Sequence, residues 1–94
     1  MEYRYLGRSG LRVSNLCLGT MTFGANETRP GQTDEALAHK ILDAFVAAGG
    51  NFVDTADCYN KGVSETIVGN WLKTQKRDKI ILATKLFQVR KPLD

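Results

Sequence analysis

Asn51-Phe52-Val53-Asp54-Thr55-Ala56-Asp57-Cys58-Tyr59 and Lys79-Ile80-Ile81-Leu82-Ala83-Thr84-Lys85 decide the fold. Each holds a short apolar run that gives way to a charged residue. Asn51–Asp54 follows Gly49-Gly50 and reads as a strand, and Lys79–Thr84 reads as another. The second run shows no apolar–polar alternation, so both of its faces are expected to be covered, as in a parallel sheet under helices. Between the two lies a loop, Ala56 to Gly62, and then a helix opened by Ser64-Glu65. Its buried side is expected to carry Ile67, Val68, Trp71 and Leu72, which recur at helical spacing.

The same unit repeats towards the N-terminus. Asn15-Leu16-Cys17-Leu18-Gly19-Thr20 is an apolar run expected to form a buried strand. Met21 to Gln32 is rich in Gly, Asn, Thr and Pro and reads as a loop. It is long for a strand-to-helix connection, where ~2–6 residues is usual, and long loops often carry function. Thr33-Asp34-Glu35 opens a helix, with Thr33 as the expected cap and two carboxylates at the positive helix end. Leu37, Ile41, Phe45 and Ala48 form its expected inner face, and Gly49-Gly50 ends it. Before all this, Tyr3–Leu6 and Leu11–Ser14 alternate around Gly7-Arg8-Ser9-Gly10 and predict a hairpin. The order is a hairpin followed by β-α-β-α-β, which implies parallel pairing and right-handed crossovers.

Composition narrows the function. With 43% hydrophobic residues and a net charge of +3 in 94 residues, the chain is neither disordered nor membrane-spanning in pattern. The opening Met1-Glu2-Tyr3-Arg4-Tyr5 lacks the apolar stretch of a signal peptide. Cys17 and Cys58 are too few for a disulfide scaffold and are expected to be buried, reduced thiols, which points to the cytoplasm. A single histidine, His39 on a helix, gives no support for a metal site. The basic balance does not indicate nucleic-acid binding. The positive residues are scattered, apart from Lys73, Lys76, Arg77 and Lys79 near one helix end, where the helix dipole favours cations.

In a parallel α/β sheet the active residues stand at the carboxyl ends of the strands. Thr20, Asp54 and Lys85 occupy those ends, and Tyr59 lies in the loop after Asp54. The first loop, Gly19-Thr20-Met21-Thr22-Phe23-Gly24, lacks the G-x-G-x-x-G spacing of a dinucleotide fingerprint. A lysine beside a tyrosine favours the phenolate and makes the phenol a usable proton donor, with the aspartate keeping the lysine charged. From spacing alone, a structural Asp–Lys pair and a packing tyrosine are the commoner reading of the same residues.

Three blocks carry a resemblance. Tyr5–Ser14 with Leu18-Gly19-Thr20-Met21-Thr22-Phe23-Gly24, then Asn51–Tyr59 with Ser64-Glu65 and Gly69, then Ile81–Lys85, together resemble the aldo-keto reductases. The branch resembled most is that of bacterial general reductases, aryl-alcohol dehydrogenases and potassium-channel β subunits. The resemblance implies the N-terminal part of a (β/α)8 TIM barrel, with the hairpin plugging its bottom and residues 1–94 forming one partial barrel domain. It implies NADPH-dependent reduction of an aldehyde or ketone, with NADP(H) across the carboxyl-end face. Tyr59 is then the general acid, with Asp54 and Lys85 tuning it. Thr20, Met21 and Asp54 line the nicotinamide end of the cofactor. The branch commonly has an aromatic residue at the position of Met21.

A whole barrel takes ~250 residues. The family's catalytic histidine and its adenosine-phosphate segment would fall beyond Asp94, so the chain is expected to be an N-terminal fragment. Its open barrel wall is expected to take a partner or self-associate. A non-catalytic truncated remnant and an interaction module are the alternatives to a small-molecule carbonyl reductase.

Overall fold

The computed structural model of the chain describes residues 1–24 and 31–86. Expectations for the middle of the first loop and for the tail after Leu86 lie outside these residues. The elements run β1 (Tyr3–Tyr5), β2 (Arg12–Ser14), β3 (Leu18–Gly19), α1 (Glu35–Ala47), β4 (Phe52–Asp54), α2 (Val63–Leu72) and β5 (Ile81–Ala83). β1 and β2 form the antiparallel hairpin, with Arg4 opposite Val13. β3, β4 and β5 form a parallel sheet in chain order. Gly19 pairs with Asp54, and Asp54 with Ala83.

One layer of helices covers one face of this sheet. Phe23, Ala38, Leu42, Val53, Ile67, Val68, Trp71 and Ile80 form the core, and Leu18 and Leu82 pack against it. Side chains alternate between faces along a strand. Leu18, Val53 and Leu82 therefore point to the helices, and Gly19, Phe52, Asp54, Ile81 and Ala83 point to the other face.

Among the described residues no element covers that second face, and this corrects two expectations. Leu16 and Cys17 are exposed rather than parts of a buried strand, and all three residues of β5 are only half-buried. Every strand is also shorter at its ends than the apolar runs suggest. Lys79 sits in a single 3-10 turn, Arg77–Lys79, ahead of β5.

Helix α1 begins differently from the expectation. Asp34, not Thr33, caps it, accepting from Leu37 N at 2.9 Å. Thr33 is instead bridged to the first loop: its amide donates to Thr22 O, and its carbonyl accepts from Gly24 N. The helix is also rolled about its axis. Ala38 and Leu42 are buried, Ile41 and Phe45 are half-buried, and Leu37 and Ala48 are exposed. Polar contacts with α2 set this roll. Trp71 Nε1 donates to Asp43 Oδ1 at 2.8 Å, Asn70 donates to Glu35 at 2.8 Å, and His39 Nε2 lies 3.0 Å from Ile67 O.

The double glycine ends α1 as expected. Gly49 N donates to Val46 O and Gly50 N to Phe45 O, the paired bonds of a Schellman cap, with Gly49 at φ +98°. A Cβ on Gly50 would overlap the Phe45 ring, so any other residue there has to displace that ring where the chain turns into β4. At that amino end of the sheet Asn51 clips on the hairpin. Its Oδ1 accepts from Ser14 N at 2.7 Å, and its Nδ2 donates to Arg12 O at 2.9 Å. The hairpin thus lies at the bottom of the sheet, opposite the carboxyl ends.

Candidate active site

The parallel ladder continues past the strands into the loops at their carboxyl ends. Thr20 N donates to Asp54 O, Thr55 N to Ala83 O and Asp57 N to Lys85 O. These bonds bring Thr20, Asp54 and Lys85 to the same end of the sheet, with Lys85 two residues beyond the partner of Asp54. Lys85 reaches across from its strand end. Its Nζ lies 3.0 Å from each Asp54 carboxylate oxygen, 2.9 Å from Thr55 O and 3.2 Å from Tyr59 Oη. The ammonium also sits 5.0 Å from the centre of the Tyr59 ring. The Asp54 carboxylate holds the Lys85 ammonium above its ordinary pKa against the opposing effect of burial, and the Tyr59 hydroxyl adds to the rise. The cluster is open to solvent, with about half of the Lys85 side chain exposed.

A second, buried network lies beneath it. Ser64 Oγ donates to Thr20 O at 2.7 Å and lies 3.0 Å from Thr20 Oγ1 and 3.3 Å from Thr55 Oγ1. Thr20 Oγ1 in turn donates to Asp54 O at 3.0 Å. Thr20, Thr55 and Ser64 are all but inaccessible. The network fastens the start of α2 to the ends of β3 and β4, and so closes the loop that carries Tyr59. Ser64 does not cap its own helix: Gly62, at φ +96°, precedes it, and the serine hydroxyl points inward. On the outer side Thr84 Oγ1 donates to Glu65 Oε2 at 2.6 Å, tying the lead-in of Lys85 to α2.

The five residues singled out in the sequence therefore separate. Asp54, Tyr59 and Lys85 meet directly. Thr20 lies under them with its hydroxyl engaged by the buried network, and Met21 stands at the rim, half exposed. Sequence reading missed Ser64 as a buried anchor, along with Thr55 and Asn60. Nothing local distinguishes an inward serine at a helix start from a capping one. The signal for Asn60 was present, in the run Asn60-Lys61-Gly62 directly after Tyr59.

The two cysteines differ in exposure. Cys17 is exposed, which corrects the expectation of a buried thiol, and Cys58 is half-buried. Partial burial pushes the Cys17 thiol up in pKa, and the Asp54 charge adds to this while Lys85 works against it.

A parallel sheet under helices, with an Asp–Lys–Tyr cluster at its carboxyl ends, places the chain among the α/β proteins that carry their site on that face. Residues 15–93 match the sequence profile of the Aldo/keto reductase family, and the chain belongs to that family. It is 48% identical over 94 residues to the uncharacterized oxidoreductase YrpG of Bacillus subtilis, covering 94% of this chain and 27% of that protein. It is 49% identical over 88 residues to norsolorinic acid reductase B of Dothistroma septosporum, covering 90% of this chain and 22% of the other. The holo form of aldo-keto reductase AKR11C1 from Bacillus halodurans superposes on it with a TM-score of 0.81 at 41% identity. That superposition covers the whole of this chain and 28% of the solved one. The fold is thus the first hairpin and the first βα units of an aldo-keto reductase TIM barrel. The chain spans about a quarter of the length of these relatives.

Proposed function

We propose that residues 1–94 are the acid-bearing first part of an NADPH-dependent reductase of a small aldehyde or ketone. The Lys85–Tyr59 contact is the observation that carries this reading. The ammonium donates to the phenol oxygen at 3.2 Å, so the phenol's own proton is free to be given away. Tyr59 delivers that proton to the substrate carbonyl oxygen. The positive charge of Lys85 stabilises the oxygen left behind, and Asp54 holds Lys85 in place. A bound NADP(H) would supply the hydride that reaches the carbonyl carbon.

The open face has room for such a cofactor beside Asp54. Gly19 and Ala83 flank the aspartate in register, and a Cβ on Gly19 would meet nothing within 4 Å. A flat ring fits against side chains this small. Met21 at the rim and Asp54 would hold its nicotinamide end, with Thr20 fixing them from below. The choice of NADP over NAD rests on the family branch. Activity belongs to the complete barrel, and the open wall of residues 1–94 is where the rest of a barrel, a partner or a second copy would pack. We place the protein in the cytoplasm, a reading supported by a cysteine content too low for a disulfide framework. No helix among the described residues is long and apolar enough to cross a membrane.

The test is NADPH consumption with para-nitrobenzaldehyde by the complete barrel that carries these residues. Tyr59→Phe should lower kcat by roughly 100-fold or more, the usual worth of a positioned general acid. Equal measurable rates would refute the role of Tyr59, and no turnover in either protein would favour a non-catalytic remnant or an interaction module.

A further inference from the structure

We propose that Asn60 is a positioning residue for Tyr59, acting by tying the turn that carries the acid to the loop that carries Met21. This rests on the reading of Tyr59 given above. Asn60 and Lys61 both adopt left-handed backbone, at φ +48° and +56°, and Gly62 follows at φ +96°. Three such residues in a row reverse the chain immediately after Tyr59. Asparagine tolerates this conformation better than most residues, and lysine has no such aptitude, so the turn must be held from outside.

The hold is visible. Asn60 Nδ2 donates to Phe23 O at 2.6 Å, lies 3.3 Å from Met21 O, and meets the side-chain amide of Gln32 at 2.7 Å. All three partners belong to the first strand-to-helix loop, far from Asn60 in sequence. Gly24 packs so closely on this side chain that a Cβ there would come within 3.1 Å of Asn60 Cβ and Nδ2. One amide therefore fixes the two loops to each other. Tyr59 sits one residue before it, and Met21 is one of the residues it touches. Slack in this clip would let the Tyr59 hydroxyl leave Lys85 while the core under the helices stays intact, because Asn60 contributes nothing to that core.

The experiment reads Lys85 in the full 94-residue chain. Acetylation by an N-hydroxysuccinimide ester at mildly alkaline pH is followed by peptide mass spectrometry, with Lys40 and Lys73 as internal standards. Trp71, the sole tryptophan, reports folding by its fluorescence. Only the free amine reacts, so any loss of its partners speeds the labelling of Lys85. Tyr59→Phe should raise the rate about threefold through loss of the phenol oxygen. Asn60→Gly keeps the left-handed turn and removes the clip, and it should match that rise. The double variant should label no faster than Tyr59→Phe alone. Asn60→Asp replaces the donor with an acceptor facing the Phe23 carbonyl and should behave as Asn60→Gly does.

Labelling of both Asn60 variants at the wild-type rate, with Tyr59→Phe accelerated, would overturn the positioning role and leave the catalytic reading standing. A wild-type rate in Tyr59→Phe itself would remove the Lys85–Tyr59 pair and both readings with it. Loss of Trp71 burial in both Asn60 variants would make Asn60 a folding residue and likewise overturn the proposal.

Discussion

Ser64→Ala removes the hydroxyl that joins α2 to the ends of β3 and β4. Ser64 is fully buried, and its Oγ serves Thr20 O at 2.7 Å, Thr20 Oγ1 at 3.0 Å and Thr55 Oγ1 at 3.3 Å. The single shortest bond is worth ~1 kcal/mol net. The buried Thr55 hydroxyl then loses its serine partner, which adds to the cost because a stranded buried group forfeits ~1–3 kcal/mol. The cavity is the size of one oxygen and contributes little. A loss of about 2 kcal/mol follows, and in a chain of this size each kcal/mol lowers Tm by ~4–8 °C. Thermal unfolding read by Trp71 fluorescence should therefore shift down by about 8–16 °C. Thr66→Ala is the control. Its hydroxyl donates to Gly62 O at 3.2 Å on the exposed side of the same helix, and its loss should cost no more than ~0.5 kcal/mol. A Ser64→Ala shift as small as that of the control would refute the claim that the buried hydroxyls fasten the loop of Tyr59.

Gly50→Ala should destabilise the chain by ~1–3 kcal/mol in urea titration, because its Cβ overlaps the Phe45 ring at the Schellman cap. Iodoacetamide should alkylate Cys17 more slowly near neutral pH than its exposure suggests, since only the thiolate reacts and the thiol is pushed up. Asp54→Asn should speed that alkylation and Lys85→Met should slow it further, which peptide mass spectrometry can check. The raised pKa of Lys85 means that the folded state binds its proton more tightly than the unfolded chain does. The stability this confers is fully present at neutral pH and is lost as pH rises past the ordinary lysine range through the raised value. Lys85→Met should remove that part of the alkaline decline in urea titrations at increasing pH.

The kind and order of the elements were written in the residues themselves. Helical spacing over Ile67–Trp71, apolar runs at Asn51–Asp54 and Lys79–Thr84, and glycines at 49 and 50 are local signals, and local backbone preference is enough to realise them. Placing Asp54 and Lys85 at matching strand ends needs only the parallel order, so their meeting was legible too. Tertiary structure decided the rest, because each outcome depends on which surface another element covers. α1 rolled to satisfy Asp43, Glu35 and His39 against α2, which sent Leu37 outward and Ala38 inward. Thr20 and Ser64 carry the same hydroxyl chemistry that could cap a helix or face a ligand, yet the crossing of α2 over the strand ends buried both. Cys17 and β5 remained open because a strand's apolar run states only that its faces can be covered. Whether a face is in fact covered depends on which other elements pack against it, and a strand's own residues do not state that.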